Sequence, residues 1–316
     1  MTSVGAEQIF AKCLDCQNKT VLIIYDQSSK TVNALLSNLA IKAGAKSVRS
    51  QNLLTRPANI ADIQLDNAQI VLFVASKYPG EVPLRRQLRE KADQEGFIFG
   101  AMQGISLPIL SELWDQEQSW NVAREVFQQV NMAKTITIQS PGGTQLTCEL
   151  AHKWVCATSD LRKHPQQSYN IPGSEVYTCP KTVNGVAVID GVLGDHFTSF
   201  GQLQKTPVHI HITDGRITKL TCENAKLQQE LEQYIKTDEH ANRIGELGIG
   251  CAVGMKRLYT NMLADEKFPG CHIAFGNPYG AKTGANWSSS VHCDGIILNP
   301  TIFVDGVKLD IESLGK

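Results

Sequence analysis

The 316-residue chain contains no apolar run near the roughly 20 residues that a membrane-spanning helix requires, so no membrane role is expected. It has no basic block either. Its 30 Lys and Arg against 31 Asp and Glu leave a formal net charge of -1, with both signs spread along the chain. Nucleic acid therefore finds no electrostatic footprint. The stretch Met1 to Lys12 lacks a charged head followed by an apolar segment, and no signal peptide is expected. No Gly-x-Gly-x-x-Gly opens a helix after the first strand and no P-loop occurs, which argues against a dinucleotide or nucleotide phosphate site. Without a Gly-x-Ser-x-Gly elbow, a serine nucleophile is unsupported. Cys13 and Cys16 form a Cys-x-x-Cys pair, but the second pair of a zinc ribbon is missing. The pair also precedes the first clear strand, where a redox motif would not lie, and reads as two ordinary thiols. Nine cysteines, an odd number with no export signal, point to reduced thiols in the cytoplasm.

What is present is an ordinary globular composition, 42% hydrophobic and 19% charged, in a length that suggests two domains. Strand and helix alternate in the first part. Val21 to Tyr25 and Ile70 to Val74 read as buried strands, and Phe97 to Phe99 as a third. Thr31 to Ala43, Val82 to Glu95 and a long region from Leu107 to Val130 read as helices. This alternation predicts an α/β N-terminal domain, residues 1–134, with a doubly wound, mostly parallel sheet and a scaffold role. From Thr135 the character changes. A hairpin around Pro141-Gly142-Gly143 is followed by short alternating strands at Val186 to Ile189, Val208 to Ile212 and Ile217 to Cys222, then one helix at Ala225 to Ile235. Residues 135–316 are expected to form an α+β, β-rich, metal-binding catalytic domain.

Metal-ligand residue types crowd this second part. His292 and Asp294 are two apart, so on a strand both point to one face and can meet one ion. His272 lies in the apolar run Cys-His-Ile-Ala-Phe, where an imidazole must be hydrogen-bonded or ligated. Glu175 and Glu246 sit in uncharged, glycine-rich surroundings, where burying a carboxylate costs several kcal/mol unless a cation or donor compensates. Taken singly, each has a plain alternative: a hydrogen-bonded core histidine, a chance His-x-Asp, a turn cap, a surface carboxylate. Together, two Glu, two His and an Asp suit zinc, manganese, cobalt or ferrous iron, and the set does not choose among them. His209 and His211 alternate on a strand and read as a half-exposed face. Lys256 and Arg257 read as a solvated helix start, and His196 as a loop residue able to reach the site from outside.

Four segments carry a resemblance: Ile171-Pro-Gly-Ser-Glu175-Val, Gly245-Glu246-Leu, His272 with Tyr279 seven residues on, and His292-x-Asp294. In order and local spacing they resemble the thermophilic metallo-aminopeptidases typified by aminopeptidases T and S, over roughly residues 140–310. The chain looks like a short form, with the deficit in its N-terminal half. The resemblance implies a centre of two divalent ions (Zn, Co or Mn) ligated by Glu175, Glu246, His272, His292 and Asp294, with Glu246 bridging and Tyr279 at the site. It also implies a glutamate just upstream of the first histidine, here Glu266. The implied activity is release of N-terminal residues from small peptides through a metal-activated water. Glu175 or Glu266 would move the proton and Tyr279 would stabilise the oxyanion, in a homodimer. The same fold is shared by dioxygenases that open the 2,5-dihydroxypyridine ring, which implies an alternative. In it one Fe(II) is held by His272, His292 and Asp294 and acts on a hydroxylated aromatic. A non-catalytic binding or maturation protein is the third reading.

Overall fold

The structure is a computed structural model that describes residues 4–54, 58–76, 81–161, 168–194 and 196–315. The chain divides into two compact units, Met1–Glu117 with Thr158–Gly173, and Gln118–Ala157 with Ser174–Lys316. This differs from the single boundary expected near residue 134. The helix Gln116–Val130 joins the second unit because Val122, Ala123, Val126 and Val130 bury into the core that also holds Ile136 and Ile138. The return of residues 158–173 to the first unit has no marker in composition.

In the first unit a five-stranded sheet runs Ser47–Asn52, Thr20–Tyr25, Ile70–Phe73, Ile98–Ala101, Ser168–Asn170, with every pairing parallel. The central strands Thr20–Tyr25 and Ile70–Phe73 are apolar because both faces are covered. Ser47–Asn52 is polar (SVRSQN) and half exposed, as an edge strand can be, and hydrophobicity gave no sign of it. The helices Lys30–Lys42 and Glu81–Glu95 match expectation within a residue or two. The long helical region does not form. It splits into Leu107–Ser111 and Gln116–Val130, and the carbonyls of Leu113 and Trp114 in the gap accept from the Gln8 side-chain amide instead of a helix. Cys13 and Cys16 are buried thiols. Cys16 Sγ donates to the carbonyls of Ala40 and Ala43, and none of the nine cysteines is joined in a disulfide.

The second unit holds two sheets. A seven-stranded antiparallel sheet runs Arg216–Thr221, Val208–Thr213, Thr182–Ile189, Gln145–Glu149, Thr135–Gln139, Thr301–Val304, Val307–Leu309. His209 and His211 are half-buried on one of its strands. A five-stranded sheet runs His292–Ile297, Gly270–Gly276, Ile244–Gly250, Ser174–Thr178, Val155–Thr158. Along this second sheet, alternate residues Val176, Leu247, Ile249, Cys271, Ile273, Phe275, Cys293 and Ile297 bury in one apolar core. The opposite face is therefore committed to whatever lies between them in sequence.

Candidate metal centre

That opposite face carries the candidate ligands, one set from each of four successive strands. The antiparallel register places Ala274 opposite Asp294, Gly276 opposite His292, Glu246 opposite Ala274, Gly248 opposite both His272 and Tyr177, and Gly250 opposite Glu175. Directly paired residues share a face, so Glu175, Glu246, His272, His292 and Asp294 all project to the same side. Their cross-strand partners are Gly248, Gly250, Gly276 and Ala274, with Ile296 also opposite His272, so that side is mostly free of bulky neighbours. The need is steric: a Cβ on Gly248 would lie 2.0 Å from His272 Nε2. A register shift between Ile244 and Glu246 adjusts where Glu246 falls along its strand. Gly248→Ala is accordingly expected to push the His272 ring off the face. We expect a loss of about 1–3 kcal/mol of stability by overpacking and a sharp drop in metal content, read by thermal melts and elemental analysis. Unchanged metal content would show that the ring has room to move.

The ligand atoms converge in two overlapping groups, Glu175–Glu246–His272 and Glu246–His292–Asp294, each with its atoms within 4.8 Å of one another. Glu246 is common to both. Its Oε1 is 3.2 Å from His272 Nε2 and its Oε2 is 3.9 Å from His292 Nε2. His292 Nε2 lies 3.2 Å from Asp294 Oδ1, and its Nδ1 is 2.9 Å from the Asn277 carbonyl. That carbonyl accepts the Nδ1 proton and leaves Nε2 turned to the site. Glu175, Glu246, His272 and Asp294 are buried. Among the described residues Glu175 Oε2 is a buried oxygen with no hydrogen-bond partner, which an ion would satisfy. The residues fit a divalent metal on this count and on the chemistry of the donors.

The electrostatics follow from packing four carboxylates and two imidazoles out of water. Burial works against charge on both histidines, but Glu246 and Asp294 outweigh it and raise His272 to about 9 and His292 to about 10. Asp294 is buried too, yet the His292 imidazolium holds it down at about 2. Burial raises Glu246, with His272 opposing. Tyr279 is 44% exposed, and its ring is 4.6 Å from that of His292 and 6.1 Å from that of Tyr177. Its backbone is left-handed at φ 50, held there by the Asn277 side chain, which accepts from the Tyr279 amide. Such a conformation is uncommon for a bulky residue and gathers at functional sites.

Glu266 reaches the site but belongs to neither group. Its carboxylate is in direct contact with the ammonium of Lys267, which also donates to Glu175 Oε1 at 2.7 Å. Lys267 was missed by the sequence reading. It is completely buried, and although burial opposes its charge, Glu175 and Glu266 raise its pKa above the usual lysine range. Its one signal was position: a lysine beside a glutamate five residues before an apolar-flanked histidine. Asp238 was missed as well. It accepts from Ser289 Oγ, Ser290 Oγ and the Ser290 amide, which ties down the turn leading into His292. His196 packs against Tyr234, whose hydroxyl donates to the His292 carbonyl; its neighbour Asp195 lies outside the described residues.

No curated protein matches the chain at a significant level. Among solved structures, it is similar to a 2,5-dihydroxypyridine dioxygenase from Pseudomonas putida, at 15% identity and a TM-score of 0.68, over 98% of this chain and 96% of that one. It is also similar to AmpT from Thermus thermophilus, at 18% identity and a TM-score of 0.65, over 98% of both chains. Both likenesses concern the fold. They span nearly the whole of each neighbour, so the N-terminal half has a counterpart there, and the expected deficit is not a missing domain. The thermophilic metalloprotease family (M29) matches residues 109–313, a stretch that holds every ligand of both groups. With well over half of its length matched, the chain belongs to the thermophilic metalloprotease (M29) family.

Proposed function

We propose that the protein is a metal-dependent hydrolase that releases N-terminal residues from peptides. The observation that carries this reading is the sharing of Glu246 between the two ligand groups, which builds the centre around carboxylates. An iron oxygenase of the facial-triad kind would rest on His272, His292 and Asp294 around one ion. Among the described residues those three do not form a group by themselves; each group includes Glu246. Glu246, His292 and Asp294 would hold the metal, with His272 and Glu175 lining the same face. When bound, a divalent ion lowers the pKa of a coordinated water from about 16 toward 7 and polarises a carbonyl oxygen.

The chain's own groups would do the rest. Glu175 Oε2, free of hydrogen bonds and 3.8 Å from His272 Nε2, takes the proton released as the water attacks and passes it to the leaving amine. Tyr279, partly exposed beside His292, donates its phenolic proton to the oxygen of the tetrahedral adduct. His292, fixed through Nδ1, keeps its other nitrogen aimed at the centre. The paired Glu266 and Lys267 set the charge behind Glu175.

The test is a panel of aminoacyl anilides and dipeptides with the protein loaded in turn with Zn, Co and Mn. Metal-dependent release of the N-terminal residue is expected. A fully loaded protein that cleaves none of them, yet consumes oxygen with a dihydroxypyridine under Fe(II), would replace this reading with ring opening. The same proposal places the protein in the cytoplasm as a homodimer, to be read by light scattering. Among the described residues no helix is long and apolar enough to cross a membrane.

A further inference from the structure

We propose that Lys267 is a resident cation that takes the place of a second metal ion, so that the centre holds one divalent ion, at Glu246, His292 and Asp294. The inference rests on the reading of this centre as a metal site. Lys267 is fully buried, and its ammonium makes ion pairs with Glu175 and Glu266. Glu175 is also a member of the group Glu175–Glu246–His272. That group therefore already carries a fixed positive charge on one of its three members. The ion pairs of Lys267 do not include any member unique to the other group.

The main chain at Lys267 is anchored on both sides. The Lys267 amide donates to the Ala264 carbonyl at 3.0 Å, and the Lys267 carbonyl accepts from the Ala252 amide at 2.8 Å. The segment lies so close to the Glu246 strand that a Cβ on Gly250 would meet the Lys267 carbonyl oxygen at 2.8 Å. A divalent ion in the Glu175 group would have to share that carboxylate with an ammonium it repels, in a buried site where like charges are poorly screened. The Glu175 oxygen left over stays available for proton transfer, and His272, hydrogen-bonded to Glu246 Oε1, would orient that carboxylate.

The test is metal stoichiometry of the full chain, by elemental analysis after saturation with Mn2+ and desalting, together with calorimetric titration. Wild type is expected to hold about one ion per chain, with any second ion at least about 100-fold weaker. Lys267→Glu, which puts a ligand where the ammonium lies, is expected to hold about two. Lys267→Met, which keeps the length and removes the charge, is expected to tighten the second ion. Two ions of similar affinity in wild type would overturn the proposal and leave the metal-site reading standing, whereas no bound ion would overturn both. Folded variants that still hold one ion would show that Lys267 is not what excludes the second. Should both variants fail to fold, electron paramagnetic resonance of Mn2+-loaded wild type still decides: the spectrum of an isolated ion is expected, and that of a coupled pair would overturn the proposal.

Discussion

Glu246→Gln is expected to strip the protein of metal and to lower any metal-dependent turnover by at least about 1000-fold. The substitution keeps the size of the side chain and removes its charge. Glu246 is the member common to both ligand groups, so no rearrangement among the remaining residues preserves either one. Asp294→Asn, by contrast, touches a single group. Stability separates loss of ligation from loss of fold. The buried Glu246 carboxylate is raised by desolvation and is a cost to the metal-free protein. The metal-free variant loses that cost but also the contact between Glu246 and His272, so the diagnostic is the difference between the melts with and without metal: the stabilisation that wild type gains from metal disappears. Elemental analysis and paired melting curves with and without chelator read both effects. Full metal content in Glu246→Gln would remove Glu246 from the centre and, with it, the observation on which the hydrolase proposal stands.

The second large effect is that metal and pH pull this protein in opposite directions. In the metal-free protein His272 and His292 are raised to about 9 and 10 by their carboxylate neighbours. A histidine whose folded pKa lies above its unfolded value of about 6.5 stabilises the fold fully below that value and loses the contribution as pH rises through the folded value. The chelated protein is thus expected to lose stability between about pH 6.5 and 10. Asp294, depressed to about 2, adds the opposite flank: its contribution is present above about 4 and is lost as pH falls toward 2. Metal binding requires neutral imidazole and releases the proton. Apparent metal affinity should therefore rise with pH over the interval in which the chelated protein weakens, by about tenfold per pH unit for each histidine that ligates. The slope counts the ligating histidines. Affinity that stays flat from pH 6.5 to 9 would mean that neither ring gives up a proton to the metal.

Much of this centre is local in origin and so was legible before the fold was known. A strand alternates its side chains with period two, so His292 and Asp294 had to share a face wherever the strand lay. His272, set between apolar residues, had to be satisfied in the interior. Glu246, in uncharged and glycine-rich surroundings, had to meet a cation or donor if buried; that the glycine at 248 makes room for the His272 ring is visible only in the structure. The apolar strands Thr20–Tyr25 and Ile70–Phe73, and the hairpin from Thr135, stood out for the same reason: burial on known faces leaves a pattern in the residues themselves. The polar edge strand Ser47–Asn52 and the returning strand Ser168–Asn170 left none, because half-exposed edges do not demand an apolar pattern.

By itself the sequence determined which side chains are bound to face one way on each strand, and that several of them, once buried, need a cation or a hydrogen-bond donor. The tertiary structure decided how the strands stand against one another, and register is a long-range property that no single segment encodes. It set Glu246 between two histidines from different strands. It also decided which cation meets Glu175. In sequence Glu175 has no charged neighbour nearby, and Lys267 looks like one more residue of a polar turn. Only the close passage of Lys267 and Phe268 over Gly250 brings the ammonium to the carboxylate, in a site too buried for either charge to remain without a partner.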